Sequence, residues 1–543
     1  MKIYNNISNA ILLGCLMLSV SGCTKLKDDS YTTIISNKFQ PTDDDLASLL
    51  GTAYSNWRFI LLDWDGLWRA QELSSDQQVI PARPNGWVDG GVYKRIHQHQ
   101  WTADEGIVVN TWNRTFAGVT NCNRIIYQIE SGMIPVQDNK EAVIAELKIL
   151  RAAYYYILCD MFGNVPIVTQ FDLPEGFLPE QNTRKEVYEF IINEIETNVD
   201  LLSEENNTST YGKFNKWAAY TLLAKTYLNA EVYTGIPQWQ KVIESCDAVI
   251  NSGAGYSLEL SQKNVFVTEN QNSKEIIFAL PLDENYTNEW NAFDLHMQSL
   301  PSESQATYNL LSAPWGGMCA IPQFISSYNQ NDQRLKSNWI QGQQYTSSGQ
   351  VLNAALGAYK DKPLNLVNEI PSIDASEVIH GFRLGKFEIK QGAAVQLSND
   401  FPVFRYAEIL MMKAEALLRK GNATQAAQIV TAVRNRAFID NQGGAVVTAS
   451  QLQQGSSYDY GLRSNTATTK EGGEDIQFGR FLDELGWEFD QEGHRRTDMI
   501  RFGAFSKKSW FSHKATNDEN KNLFPIPRAA LNTNSNLAQN PGY

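Results

Sequence analysis

FLDELGWEFDQEGHRRTDMIRFG, from Phe481 to Gly503, constrains the architecture of this 543-residue chain more than any other stretch. Its apolar residues Phe481, Leu485 and Phe489 recur at every fourth position, which places them on one face of a helix. Gly493 is suited to end that helix. The stretch therefore predicts an amphipathic helix whose adjacent stripe carries three carboxylates, on Glu484, Glu488 and Glu492.

Charged residues of both signs follow this predicted helix, and two interpretations of them are open. They are His494, Arg495, Arg496, Asp498 and Arg501. Such a mixture occurs in active sites, and it also occurs in ion-pair networks that perturb pKa values without doing chemistry. We favour a semi-buried ion-pair network between two helices, because the planar guanidinium of arginine is well suited to pairing with carboxylates.

The segment from Glu484 to Arg501 resembles the C-terminal signature of the SusD/RagB family. Other landmarks of that family occur in the family's order: Cys23 behind an apolar leader, Leu150–Tyr156 with Gly163–Pro166, Arg405–Leu410, Phe524–Pro527 and Gln539–Tyr543. Each motif is loose alone, and together they are specific. The resemblance implies a mainly α fold, in which a TPR-like scaffold of helical pairs carries a long irregular insertion with short strands. It also implies glycan capture without catalysis and a SusC-like TonB-dependent transporter as partner.

The composition is that of a large folded protein with an acidic surface. Hydrophobic residues make up 43% of the chain and charged residues 20%, which excludes global disorder. The formal net charge of −14 and the pI near 5.1 argue against a nucleic-acid partner, because nucleic-acid binding needs a basic face. The chain has 13 Trp and 23 Tyr, which favours a ligand that stacks on aromatic rings.

The N-terminus has the pattern of a lipoprotein signal peptide. An apolar run from Ala10 to Val20 is too short to span a bilayer, and small residues lie directly before Cys23. This pattern resembles the bacterial lipobox, so we expect residues 1–22 to be removed and Cys23 to be acylated, with signal cleavage without lipid as the alternative. The expected location is the outer membrane, facing the extracellular side. The remaining cysteines lack metal or disulfide spacing, and Cys122, Cys159 and Cys246 are predicted core residues.

Periodicity divides the mature chain, residues 23–543, into helical and irregular parts of a single domain. Helical patterns occupy about residues 43–252 and 401–503. Among them, Thr183–Glu186 forms a capping box that predicts a helix start. Between about residues 253 and 400 the sequence alternates short strand-like pieces with loops rich in Asn, Ser, Gly and Pro, which predicts an irregular insertion packed on the helices.

No pattern in the sequence indicates catalysis, a metal or a cofactor. A glycosidase needs two carboxylates in different environments, and no pair of acids in the chain has that setting. The motifs of serine hydrolases, zinc proteases and nucleotide-binding proteins do not occur in a suitable context. His97 and His99 are two residues apart, so they would face opposite sides of a strand and bind no common metal ion. We therefore predict a protein that is not an enzyme.

Tryptophans in polar loops are the candidate ligand contacts. A sugar ring presents an apolar C–H face that an indole ring can cover. Trp87 lies in the loop IPARPNGWVDGG, and Trp290 and Trp315 lie in the irregular insertion. We expect these three residues to form one flat, exposed platform, with Trp339 as the next candidate. Trp64 and Trp68 are four residues apart and are predicted to be core residues instead. They contribute nothing to the expected site.

The expected ligand is a neutral polysaccharide or oligosaccharide, because no Arg or Lys cluster accompanies these tryptophans. An extended β-glucan backbone offers flat faces to a row of rings, so a plant hemicellulose such as xyloglucan is the expected glycan. Two alternatives stay open: a surface-anchored glycoside hydrolase, and a TPR-type protein-interaction scaffold that binds no glycan.

Overall fold

The structure is a computed structural model that describes residues 43–283 and 291–543, with side chains from Leu46 onward. The predicted signal peptide, the lipidation site Cys23 and the candidate contact Trp290 lie outside the described residues. Within the described ranges, no helix combines the length and the apolar character needed to cross a membrane.

The N-terminal half is a series of packed helices. α1 packs on α4, α4 on α5, α5 on α6, and α7 on α9, which gives the predicted arrangement of TPR-like helical pairs. The predicted capping box is present at the start of α6, where Thr183 and Glu186 each bond the other's backbone N–H. The helices are α1 (Asp43–Leu62), α2 (Leu67–Leu73), α3 (Val92–His97), α4 (Gly106–Glu130), α5 (Lys140–Met161), α6 (Arg184–Asn198), α7 (Lys216–Leu228), α8 (Ala230–Thr234) and α9 (Trp239–Ile250).

Short antiparallel strand pairs hold the irregular segments against the helices. The longest pair joins β4 (Ile276–Leu280) to β10 (Phe401–Arg405). The other pairs are β1 (Gln78–Val79) with β5 (Cys319–Ala320), β2 (Val165–Pro166) with β3 (Gln181–Asn182), β6 (Trp339–Ile340) with β9 (Arg383–Leu384), and β7 (Gly342–Gln343) with β8 (Asn365–Leu366). Four short helices lie among them: α10 (Leu295–Ser299), α11 (Gln305–Tyr308), α12 (Pro322–Ser327) and α13 (Gln333–Ser337).

Helices resume after β10 and complete the scaffold. α14 packs both on α15 and, across the chain, on α9 of the N-terminal half. One hydrophobic core therefore extends from Leu50 to Ile526. The helices of this part are α14 (Tyr406–Arg419), α15 (Ala423–Arg434), α16 (Gln442–Ala445), α17 (Ala449–Leu452), α18 (Gly479–Phe489), α19 (Arg495–Arg501) and α20 (Arg528–Thr533).

The three glutamates of residues 481–503 lie in a buried ion-pair network. Arg405 donates to Glu275 at 2.8 Å, to Glu488 at 2.9 Å and to Glu492 at 2.6 Å, and it is 2% exposed. Burial acts to raise the pKa of the Glu488 carboxyl, but the charges of the surrounding arginines hold that pKa well below its ordinary value. All three glutamates are thus bound by cations of other segments, among them Arg434 on Glu484.

Two details of this segment differ from the expectation. α18 ends at Phe489, before Gly493, so Glu492 lies in the connecting turn. Gly493 has a φ of +79°, in the left-handed region that L side chains rarely adopt, so a side chain there would be strained. Arg495 pairs with none of the three glutamates. Its guanidinium holds Asp76 with distances of 2.7 and 2.9 Å, and this pair fastens α19 to the chain that follows α2.

Candidate functional site

Two of the predicted contacts, Trp87 and Trp315, come together on one surface. The indole Nε1 of Trp87 donates a hydrogen bond of 2.7 Å to the carbonyl oxygen of Trp315. The Nδ2 of Asn85 donates to the same oxygen. Both tryptophans are half-buried, so each leaves part of its ring accessible.

Trp64 completes this surface, although the sequence predicted it to be a core residue. It lies in the turn after α1 and is half-buried. Its ring is nearly parallel to that of Trp87, with 6.0 Å between centroids and 4° between planes. It lies 5.5 Å from the ring of Trp315 at an angle of 48°. We call Trp64, Trp87 and Trp315 the tryptophan cluster; because of the tilt of Trp315, its surface is curved and the expectation of a flat platform is wrong.

The loop that carries Trp87 holds this residue in an unusual backbone conformation. Trp87 has a φ of +71°, in the left-handed region that costs a non-glycine residue on the order of 1 kcal/mol or more. One side of its ring lies against Gly317, where an added Cβ would come within 2.3 Å of the ring. Strained residues of this kind concentrate at ligand contacts, since the surrounding structure must enforce them.

Arg83 fastens the same loop to the insertion. Its guanidinium donates to the carbonyl oxygens of Gly317 at 2.9 Å, Glu377 at 2.6 Å and His380 at 3.0 Å. Arg83 is 7% exposed, so these bonds are shielded from water. The loop therefore keeps one position relative to Trp315, and the cluster is formed before a ligand arrives.

A buried polar group supports the cluster from behind. Asp294 accepts a hydrogen bond of 3.0 Å from the Nε1 of Trp64 and lies 3.6 Å from Arg69, and neither charged side chain is exposed. Arg69 also donates to Gln298 at 3.0 Å, and Gln298 accepts the backbone N–H of Gly317 at 2.8 Å. Burial raises the pKa of the Asp294 carboxyl and lowers that of the Arg69 guanidinium. The pair fixes the ring of Trp64 and offers no free charge to a ligand.

The cluster thus presents ring faces more than hydrogen-bonding groups. The indole N–H groups of Trp64 and Trp87 are both used within the protein. Tyr93, whose ring lies 5.8 Å from that of Trp87, is buried beneath it. An apolar face of a flat or ring-shaped ligand is what such a surface can cover.

Two other tryptophans do not join the cluster within the described residues. Trp290 lies outside them, so its part in the site stays a prediction. Trp339 is 1% exposed and packs edge-on against Phe324 in the core, so its candidacy as the next contact is wrong. Its polar sequence neighbours gave no sign of this burial, because strand β6 is covered by chain distant in sequence.

The histidines at and after α3 lie in the protein interior. His97 ends α3 and His99 follows it, so the strand considered for them is absent, and both are buried. The ring of His513 lies 4.2 Å from that of His99. Over residues 43–283 and 291–543, the structure contains no group of three or more His, Cys, Asp or Glu side chains that could hold a metal ion.

Family models match two long parts of the chain. A model of the SusD family matches residues 274–543, and a second one, described as starch-binding and associating with the outer membrane, matches residues 60–228. Together with the motifs, these matches place the protein among the glycan-binding proteins that associate with the outer membrane. The chain belongs to the SusD/RagB family.

Relatives and solved structures agree with this assignment. The starch-binding protein SusD of Bacteroides thetaiotaomicron is 25% identical over 497 residues, which is 84% of this chain and 82% of SusD. A SusD-like protein of Formosa agariphila is 23% identical over 97% of this chain and 98% of its own length. Surface glycan-binding protein A from Bacteroides thetaiotaomicron, solved with laminarihexaose, shares the fold with a TM-score of 0.67 at 17% identity, covering 92% of this chain and 100% of that one. A laminarin-binding SusD-like protein gives a TM-score of 0.69 at 19% identity, with 93% and 100% covered.

A signal for Trp64 was present in the sequence. It lies between two aspartates and is followed by Gly66, which is the same polar, turn-forming setting that marked the loop tryptophans. The four-residue spacing to Trp68 indicated a continuous helix instead. The helix breaks between Leu62 and Leu67, so only Trp68 enters the core.

Proposed function

We propose that this protein is a cell-surface lipoprotein that binds a neutral glycan on the tryptophan cluster and delivers it to a SusC-like TonB-dependent transporter, without catalysis. The observation that carries the proposal is the cluster itself: three half-buried indole rings, drawn from segments far apart in the chain, held rigidly at one surface. The anchor would be a lipid on Cys23. The family resemblance supports the proposed transporter and orientation.

A neutral ligand is supported by the electrostatics around the cluster. Arg69 is paired and fully buried, and the neighbouring Arg114 is paired with Asp63. The chain has a net charge of −14, which disfavours anionic polysaccharides. An open surface excludes water poorly, so we expect an affinity between about micromolar and millimolar, or about −8 to −4 kcal/mol.

A β-glucan backbone is the proposed ligand chemistry. Xyloglucan has the extended ribbon expected from the sequence and would cover Trp64 and Trp87, whose planes are nearly parallel. The 48° tilt of Trp315 favours a chain that turns, and a relative was solved with laminarihexaose. We therefore include both xyloglucan and laminarin as ligands in the tests.

Affinity electrophoresis in gels with these polysaccharides tests the proposal, followed by calorimetry on Trp64→Ala, Trp87→Ala, Trp315→Ala and the triple variant. Trp239→Ala is a matched control, because Trp239 is a half-buried tryptophan on α9, away from the cluster. We expect retardation of the parent and the control and much weaker retardation of the folded triple variant. Equal retardation of the triple variant would overturn the proposal.

Incubation with polysaccharide tests the absence of catalysis. New reducing ends would support the glycoside hydrolase, and binding without new ends supports glycan capture. Co-purification with a TonB-dependent transporter, identified by mass spectrometry from detergent-solubilised outer membranes, tests the partner.

A further inference from the structure

A surface groove lies between segments that are connected in the chain to the tryptophan cluster. It encloses about 480 Å³ between α12, the segment 368–371 and the segment 459–464. We call it the side groove. The lining residues that matter here are Gln323, Asn368, Glu369, Asp459, Arg463 and Phe511.

Two amide oxygens of the side groove lack a hydrogen-bond donor among the described residues. They are the Oε1 of Gln323, a residue that is 3% exposed, and the Oδ1 of Asn368. Both are enclosed in the wall of the groove, and a buried acceptor without a donor destabilises a fold. Such groups normally have a partner, so a donor supplied by solvent or by a ligand is expected here.

The nitrogen atoms of both amides make hydrogen bonds, and those of Gln323 fix its orientation. The Nε2 of Gln323 donates to the carbonyl oxygen of Asp459 at 2.6 Å and to that of Gly461 at 3.2 Å. The Nδ2 of Asn368 donates to the carbonyl oxygen of Pro322 at 3.2 Å and to the Oγ of Ser326 at 3.1 Å. Turning the amide of Gln323 would oppose two carbonyl oxygens, so its unpaired atom is an oxygen and the missing partner is a donor.

The charges of the side groove favour a neutral, donor-rich ligand. Two carboxylates, of Glu369 and Asp459, and one guanidinium, of Arg463, line the groove, and Arg463 pairs with Asp459 at the rim. This balance disfavours an anion. Phe511 and Ile370 supply an apolar wall. A sugar residue fits this combination, since its hydroxyls donate to amide and carboxylate oxygens while its C–H face covers apolar atoms.

We propose that the side groove is a second sugar-binding site, which holds a sugar residue of the same polysaccharide that the tryptophan cluster binds; this rests on the proposed function. Gln323 follows Trp315 by eight residues, so their Cα atoms are at most about 29 Å apart. The loop of Trp87 is joined to the chain two residues beyond the groove segment 368–371 by the hydrogen bond from the Ala82 N–H to the Ile373 carbonyl, 2.8 Å long. One long chain can then engage both sites, and its avidity exceeds the affinity of either.

The first experiment isolates the side groove. The triple variant Trp64→Ala/Trp87→Ala/Trp315→Ala is titrated with free D-glucose, D-xylose, D-galactose and D-mannose and followed by saturation-transfer NMR. We expect one of these sugars to saturate at millimolar concentration. In the same background, Asp459→Ala/Arg463→Ala removes the rim pair and should weaken that binding by about tenfold or more. Lys185→Ala/Glu189→Ala, an exposed ion pair on α6, is the matched control and should change nothing.

The second experiment uses the intact cluster. Asp459→Ala/Arg463→Ala should weaken binding of the polysaccharide by about fivefold or more, and leave the affinity for a short oligosaccharide unchanged, because the avidity of two sites is lost. Asn368→Ala, which removes one unpaired oxygen, should act in the same direction. Circular dichroism checks the fold of each variant.

Three outcomes overturn this inference. The first is that none of the four sugars saturates the triple variant. The second is that the rim variant binds polysaccharide as tightly as the parent. The third is that sugar binding requires Ca²⁺ and is abolished by EDTA, which would make the groove a cation site. Failure of the proposed function gives a different result. In that case, the triple variant that also carries Asp459→Ala/Arg463→Ala would bind the polysaccharide as tightly as the parent.

Discussion

The indole nitrogen of Trp87 donates a 2.7 Å hydrogen bond to the carbonyl oxygen of Trp315, which lies 228 residues later in the chain. This bond joins a loop of the helical scaffold to the irregular insertion at the point where Trp64 also meets both residues. The surface of the tryptophan cluster is therefore formed by the contact between the two parts. If it is the proposed glycan site, substitutions at that contact should change glycan binding before they change the fold.

The first prediction separates Trp64 from Trp68. Trp64→Ala should lower glycan affinity by about tenfold or more, because it removes the ring that contacts both other members of the cluster. Trp68 is fully buried, so Trp68→Ala should destabilise the protein by about 3–5 kcal/mol. Calorimetry and thermal unfolding of both variants test this. Unchanged affinity of a folded Trp64→Ala variant would remove Trp64 from the site.

The second prediction concerns Gly317, whose Cα supports the ring of Trp87. In Gly317→Ala the new Cβ would lie 2.3 Å from ring atoms, so the ring must move. We expect reduced glycan affinity with all three tryptophans still present. Gly51→Ala is the control, because a Cβ at Gly51 meets no atom within 4 Å. Equal affinities for the two variants would show that the position of Trp87 is unimportant.

The third prediction concerns the pair of Arg495 and Asp76. Arg495→Ala leaves Asp76 buried without its partner and should cost about 3–5 kcal/mol, seen as a lower melting temperature. The folded fraction should bind glycan with unchanged affinity, because the pair lies in the interior. Arg528→Ala breaks an exposed pair with Asp104 and should cost less than about 1 kcal/mol. A stable Arg495→Ala variant that has lost binding would contradict the structural role.

The fourth prediction concerns pH. Burial lowers the pKa of His99 to about 3, whereas an unfolded histidine titrates near about 6.5. The folded state therefore binds fewer protons than the unfolded state between these values, and stability falls as the pH falls through this window. At pH 4.5 the loss from this one group is on the order of 2–3 kcal/mol.

Urea unfolding at pH 7.5, 5.5 and 4.5 measures this effect. His99→Phe keeps a ring that can stack on Phe505, which lies 4.1 Å away in the parent, and it cannot titrate. The variant should show a shallower loss of stability with falling pH than the parent. Parallel pH profiles would show that His99 does not set the acid sensitivity.

The fifth prediction concerns anchoring at Cys23. Cys23→Ala should release the protein from the outer membrane into a soluble fraction, because the lipid chains supply the membrane affinity. Fractionation and immunoblotting of cells that express the parent or the variant measure this. Retention of the variant would mean that another contact, such as that with the transporter, is sufficient to hold it.

Local pattern was enough to predict most of the scaffold. Helices occupy most of the stretch from about residue 43 to 252, as its periodicity predicted, and the capping box of Thr183 forms as expected. Burial of the core cysteines Cys122 and Cys159 is confirmed as well. These features depend on residues within a few turns of one another, so periodicity and capping chemistry in the sequence contain the information.

The sequence by itself determined the helices, the family and the abundance of aromatic residues in polar loops. Only the tertiary structure decided which rings share a surface and which partners neutralise the buried charges. Trp64, Trp87 and Trp315 meet across more than two hundred residues, Arg495 finds Asp76 at a separation of 419 residues, and Trp339 is buried despite its polar neighbours. Helix formation depends on the spacing of nearby side chains, whereas the exposure of a ring depends on which distant segment packs over it.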